Sequence, residues 1–279
     1  MKSKKIPSFS SKLITKLKKE PILFNDFLEE ISKNGERFFD SPELEFELLI
    51  TNGLPLEIEE DRVYLKTSKT LIDEQTFCIV DIETNGSNVN KGHQIIEIGA
   101  VKYKNGKIID SFESLVYAKN IPENIQEITN ITPKMLENAP VIEKVLKEFK
   151  LFLEDDVFVA HDIKFDYNFI SSSFNKYDLG KLENRKLCTI DLARRTIKAE
   201  KYGLSFLKEL LNIDIKNHHR AYSDALSTTY ILQESLKSLD ESVKTVEDLI
   251  DFSKNAKPVM PKLEVNTGAK KESKEEETN

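Results

Sequence analysis

The 279-residue chain holds only two cysteines, no tryptophan and no apolar run approaching the ~18 residues a membrane-spanning helix needs. Cys78 and Cys188 lie far apart in apolar surroundings, which argues against a disulfide framework or a zinc site and fits buried free thiols in a reducing compartment. The nine glycines are never spaced as a P-loop or a dinucleotide fingerprint requires. Internal repeats are absent too. The first 19 residues contain no acid and no arginine, and their seven basic residues are all lysine. No apolar h-region follows them, which speaks against a secretory signal, and the lack of arginine speaks against an organellar presequence. A basic arm or a solvated helix face fits better. These absences predict a soluble, cytoplasmic protein. The net charge of −7 argues against wholesale electrostatic attraction to nucleic acid, yet leaves room for a local basic track beside an acidic site.

What is present divides the chain into four parts. Residues 1–20 read as a basic N-terminal arm. Residues 21–70 read as a small α+β domain: helices over 21–34 and 42–51 precede a hairpin whose strands, 56–59 and 62–65, turn at Glu60-Asp61. Two helices and a hairpin suggest a winged-helix-like module that touches nucleic acid or a partner, or else a plain structural cap. Residues 74–240 form the main domain. Strands over 94–104 and 107–118 flank Asn105-Gly106, a two-residue turn signal, so with residues 76–84 three antiparallel strands open it. A helix over 141–153, strands over 157–160 and 187–190, and helices over 205–211 and 221–239 follow, which predicts a mixed α/β sheet flanked by helices. Residues 241–279 read as a C-terminal extension, largely disordered from about residue 255 because its composition turns to Lys, Glu, Asn and Thr.

The main domain is organised around Phe77-Cys78-Ile79-Val80-Asp81-Ile82-Glu83-Thr84. Alternation puts Phe77, Ile79, Asp81 and Glu83 on one face and Cys78, Val80 and Ile82 on the other, so a strand buried on both sides ends in two neighbouring acids. Desolvation and mutual repulsion make that pair costly. Either basic residues pair with the two acids, or they hold divalent cations through hard oxygen ligands, or the strand end merely surfaces into water. Asp166, just after the strand over 157–160, and Asp224, in the first turns of the last long helix, stand where further acids can join them. His219, five residues before Asp224, must reach back from the preceding loop. Four carboxylates and an imidazole suit two-metal phosphoryl transfer, in which two cations ~3.5–4 Å apart activate a water and a histidine takes its proton.

These residues resemble the motifs of the DnaQ-like exonucleases of the DEDDh type. Asp81-Ile82-Glu83-Thr84 is similar to their first motif, His161 through Asp166 to their second, and His219-Arg220-Ala221-Tyr222-Ser223-Asp224 to their third. Gln94 through Val101 and Tyr202-Gly203-Leu204-Ser205 also match family habit, with Asp162 departing where Asn is frequent. The proofreading epsilon subunits of bacterial DNA polymerase III are the members most resembled, over roughly residues 74–240. The resemblance implies an RNase H-like fold and release of nucleoside monophosphates from 3′ ends of single-stranded DNA, with RNA trimming or loss of catalysis as alternatives. It also implies two Mg²⁺ or Mn²⁺ ions on Asp81, Glu83, Asp166 and Asp224, with His219 as general base and His218 as its alternate. Thr84 and Gly86 are placed where the terminal nucleotide passes, and Glu97 either meets its sugar or serves in a simple pair. His161 reads as a structural imidazole. The basic residues within 181–201 either follow phosphates or form a wet helix face. The DNA polymerase III alpha subunit is the implied partner, met through the C-terminal tail, and no membrane is involved.

Overall fold

The computed structural model describes residues 8–35, 37–216 and 219–260. Its N-terminal module runs α1 (Phe9–Leu17), β1 (Ile22–Leu23), α2 (Phe24–Ser32), α3 (Pro42–Thr51), β2 (Leu56–Glu59) and β3 (Arg62–Leu65). The three strands form one antiparallel sheet in the order β1-β3-β2. The helices start where the sequence supplies caps: Ser8 accepts the Ser11 N–H, and Ser41 accepts the Leu44 N–H with Pro42 as the first helical residue. Leu13, Leu17, Phe27, Ile31, Phe46, Leu49, Val63 and Leu65 make the core of the module. Residues 9–17 are therefore a packed helix and not the basic arm expected for 1–20; lysines line only its outer side, and residues 1–7 lie outside the described part.

The main domain is a five-stranded mixed sheet of order β6-β5-β4-β7-β8. Its elements are β4 (Phe77–Thr84), β5 (Ile95–Lys104), β6 (Lys107–Leu115), α4 (Glu123–Thr129), α5 (Pro133–Leu136), α6 (Ile142–Leu153), β7 (Val157–Ala160), α7 (Ile163–Lys176), β8 (Lys186–Cys188), α8 (Thr189–Thr196), α9 (Leu204–Leu210), α10 (Ala221–Lys237) and α11 (Val246–Asn255). β4, β5 and β6 are antiparallel, and β7 and β8 add in parallel. Asn105 and Gly106 both take positive φ, 47° and 76°, as the tight hairpin turn requires. The alternation of β4 is met: Cys78, Val80 and Ile82 face a core with Phe149, Phe158, Ile170 and Phe174, while Phe77 and Ile79 face Leu192, Leu232, Leu249 and Ile250.

Three expectations are corrected. The strand over 187–190 ends at Cys188, where its pairing with Ala160 stops. Thr189 then begins α8, its β-branched Thr189-Ile190 pair overridden by tertiary contacts. The C-terminal extension begins with α11, a full part of the core, capped by Thr245 and Asp248 reciprocally. Finally, the disorder expected from about residue 255 is not seen up to residue 260, since Val259 N–H still bonds the Arg194 carbonyl. The rest of the tail lies outside the described residues.

The N-terminal module is fixed at the end of the sheet where β4, β7 and β8 begin. Glu247 of α11 sits at the joint, accepting from Arg185 Nε and Nη2 at 2.6 Å each and from the Thr67 hydroxyl at 2.8 Å, with Lys18 Nζ 3.5 Å away. Asn52-Gly53 of the module meets Asn184 and Gly180 so closely that a Cβ on Gly53 would lie 2.1 Å from Asn184 Oδ1. Lys66 pairs with Asp155 at 2.9 Å. Glu43 and Glu47 on α3, and Glu57, Glu59, Glu60 and Asp61 at the hairpin, are acids that repel phosphate. The module packs on the end of the sheet opposite the carboxyl end of β4, about 25 Å away along eight strand residues at ~3.3 Å each.

Candidate active site

The carboxyl end of β4 and the first turns of α7 and α10 converge. A bulge between Glu83 and Thr84, opposite Glu97 and Ile95, breaks the β4–β5 register just where the acids lie and re-aims the strand end. Asp166 is the fourth residue of α7 and Asp224 the fourth of α10, so both sit at helix amino ends, where backbone N–H groups favour negative charge. Asp166 Oδ1 accepts the Ile82 N–H of β4 at 3.3 Å. His219 reaches back from the loop before α10, its N–H donating to Asp224 Oδ2 at 3.0 Å. Glu83, His219 and Asp224 each offer a ligand atom within 4.8 Å of the others. The five expected groups are brought together, with His219 standing closer to the carboxylates than a loop residue need be. His218, the alternate, lies outside the described residues.

The electrostatics are strained in one direction. Burial, followed by repulsion from Asp166, Glu83, Asp224 and Glu97, pushes the Asp81 carboxyl well above the usual range. Burial, followed by Asp224, Glu97 and Asp166, lifts Glu83 to about 8, with Arg220 pulling the other way. Burial lifts Asp166 to about 8 despite hydrogen bonds from backbone N–H groups that pull it down. Arg220 is the basic neighbour that opposes the repulsion on Glu83, and its guanidinium is paired with Glu97. An all-oxygen donor set that is costly when ionised fits a hard divalent cation, which would remove the repulsion.

A family model described as Exonuclease (RNase_T) matches residues 78–232, the span from β4 to α10 that carries all five groups. The chain belongs to this exonuclease family. Among curated relatives, the DNA polymerase III PolC-type of Staphylococcus haemolyticus is 38% identical over 197 residues, 70% of this chain and 13% of the relative. That of Staphylococcus aureus is 36% identical over 197 residues, with the same coverage. The chain thus spans 13% of the length of these relatives, which carry the PolC name where the motifs pointed to epsilon subunits. Among solved structures, Escherichia coli Exonuclease I in complex with a dA16 oligonucleotide is similar with a TM-score of 0.54 at 14% identity, over 64% of this chain and 42% of that one. Cell-death related nuclease 4 is similar with a TM-score of 0.50 at 17% identity, over 58% and 64%. These two likenesses show the fold.

Around the carboxylates, the exonuclease domain places the remaining expected residues differently. Glu97 is fully buried: Arg220 Nε and Nη2 and the Ala221 N–H all donate to its carboxylate. It therefore takes the pairing role and not the sugar contact. Thr84 is buried at the strand end. A Cβ on Gly86 would lie 2.5 Å from the His93 ring, so the missing side chain there makes room for His93. The structural reading of His161 holds. Its Nε2 lies 2.9 Å from the Tyr202 carbonyl and Nδ1 2.9 Å from Thr189 Oγ1, and burial lowers its pKa to about 4. A carbonyl only accepts, so the neutral ring carries its proton on Nε2. This gives the Tyr202-Gly203 motif a physical task. In the basic segment, Arg185 is held by Glu247, Arg194 pairs with Asp191, and Arg195 donates to the Asp191 and Lys254 carbonyls. Lys181, Lys198 and Lys201 remain on the surface.

Sequence reasoning missed two residues here. Arg220 was passed over as part of a motif, though a basic residue beside the histidine was the available signal. Gly99 faces the start of α10 so closely that a Cβ would lie 2.1 Å from Tyr222 N and 2.3 Å from the Ala221 carbonyl carbon. It pairs with Asp81 across β4 and β5. Only a glycine there lets the helix bearing Asp224 settle against the strand bearing Asp81.

Proposed function

We propose that this nuclease removes nucleoside monophosphates stepwise from the 3′ end of single-stranded DNA, in the cytoplasm, as the proofreading activity of a bacterial replicative polymerase. The single observation that carries the reading is the meeting of Glu83, His219 and Asp224 within 4.8 Å, beside the mutually repelling Asp81 and Asp166. The names of the polymerase relatives and the oligonucleotide in the Exonuclease I structure support DNA as the polymer. Asp81, Glu83, Asp166 and Asp224 would hold Mg²⁺ or Mn²⁺, two ions in all. Bound there, the ions would acidify a water and offset charge on the phosphate.

The residues of the chain then have separate tasks. A divalent cation bound there would offset the repulsion that raises Asp81, Glu83 and Asp166. The exposed His219 imidazole, at the rim of the cluster, takes a proton from the attacking water and can pass it to solvent. The backbone from Thr84 to Gly86, beside the bulge, borders the approach of the terminal nucleotide, with the Thr84 side chain buried and the Gly86 space filled by His93. A polymerase III alpha subunit is the proposed partner, held through the tail beyond residue 260.

The test is direct. A 5′-labelled single strand incubated with Mg²⁺ or Mn²⁺ should shorten stepwise, and chelator or Asp81→Ala should stop it. Stepwise shortening that persists in Asp81→Ala would remove the reading. DNA and RNA of one sequence run in parallel decide the polymer. Deleting residues 261–279 should weaken polymerase association without changing the rate on free strands.

A further inference from the structure

The Glu97 carboxylate is the most completely enclosed acid in the region, with 0% exposure, and enclosing a carboxylate costs several kcal/mol unless it is well paired. The pairing is thorough. Arg220 donates through Nε at 3.0 and 3.2 Å and through Nη2 at 2.6 Å, and the Ala221 N–H donates at 2.9 Å. All four hydrogen bonds end on the two residues that follow His219. His219 itself has a φ of +59°, a left-handed conformation that a non-glycine residue keeps only where its surroundings fix it. Its N–H also donates to Asp224 Oδ2. Glu97 also sits directly opposite Glu83 in the β4–β5 register.

We propose that the Glu97–Arg220 ion pair is a positioning device for His219: it clamps the corner between loop and helix and so presents the imidazole to the carboxylate cluster. The inference rests on the exonuclease reading for the role of the imidazole, but not for the geometry. The Glu97 and Arg220 side chains bond each other, and the Arg220 carbonyl, as N-cap of α10, accepts the Asp224 N–H at 3.0 Å. Asp224 is also placed by a second contact, the seat of α10 on Gly99. Both contacts meet at Ala221, the first residue of α10, so the His219 ring signals are what read the clamp on the side of the imidazole. A contact from Arg220 to a backbone phosphate is the competing role. It is disfavoured because two of the nitrogens of its fork already face Glu97.

The experiment uses the full chain with Arg220→Ala, Arg220→Lys and the nearly isosteric Glu97→Gln. Imidazole ring signals of ¹³C-histidine-labelled protein, recorded without metal, should move and broaden for His219 in Arg220→Ala and Glu97→Gln while those of His161 stay in place. On single-stranded DNA with Mn²⁺, kcat should fall at least tenfold with KM changed less than twofold, since small misplacements of a reacting group cost up to about a hundredfold. Arg220→Lys should recover part of the loss, and millimolar guanidinium should recover part of the loss in Arg220→Ala. Combined with His219→Ala, Arg220→Ala should add no further loss. Unmoved His219 signals overturn the proposal, as does a multiplicative loss in the double variant. A raised KM with a flatter salt dependence overturns it in favour of a phosphate contact. Moved His219 signals in a wild-type protein that degrades no DNA would support the clamp and count against the exonuclease reading.

Discussion

Gly99→Ala is the smallest change that reaches the heart of the site. The new methyl carbon would lie 2.1 Å from Tyr222 N, 2.3 Å from the Ala221 carbonyl carbon and 2.4 Å from Tyr222 Cα, whereas ordinary contact begins at 3.4 Å. All three neighbours are backbone, so no side-chain rotation relieves the clash. The start of α10 must withdraw from β5 by on the order of 1 Å. Asp224 lies one turn further along that helix and moves with it, opening the group it forms with Glu83 and His219. Overpacking of this kind costs about 1–3 kcal/mol of stability. In a domain of this size that lowers the melting temperature by roughly 2–12 °C. Displacement of a ligand by that distance should reduce turnover on the order of a hundredfold. Calorimetric titration with Mn²⁺, thermal melting and cleavage of a 5′-labelled strand measure the three effects. Gly203→Ala is the control, because a Cβ there meets nothing within 4 Å. A Gly99→Ala protein that binds Mn²⁺ and cuts DNA within twofold of wild type would refute the seat.

The metal-free protein should lose stability as pH rises. Glu83 and Asp166 keep their protons in the folded chain up to about 8, whereas unfolded carboxylates release theirs near 4. Between those values the folded chain binds more protons, so each step up in pH favours unfolding. Melting in chelator should be several degrees lower at pH 8.5 than at pH 6, and Mn²⁺ should close the gap; equal melting points in chelator contradict the electrostatics. Asp166→Asn removes one buried charge and should raise the metal-free melting temperature at pH 8.5 while abolishing cleavage, a stability gain of roughly 1–3 kcal/mol. A lower melting point would show that its hydrogen bond to Ile82 matters more than its charge. Glu247→Ala leaves Arg185 without its carboxylate partner at the joint and should cost about 3–5 kcal/mol in urea unfolding. A loss below about 1 kcal/mol would show that the module is held by its other contacts.

What the sequence determined was local. The alternation from Phe77 to Thr84, the Asn105-Gly106 turn and the periodicity over 141–153 depend on neighbours within a few residues, and each gave the element found. The acids and histidine were legible because such residues at the ends of apolar elements have few inexpensive explanations. Short-range signals also misled: Thr189-Ile190 looked like strand, and the lysines around α1 hid Leu13 and Leu17. Only the tertiary structure decided that Glu97 belongs to Arg220, 123 residues away, and that Gly99 is a seat for α10. It also made α11 the joint to the N-terminal module. The physical reason is that desolvation and backbone approach are properties of everything surrounding a group. That enclosure exists only once distant segments have packed.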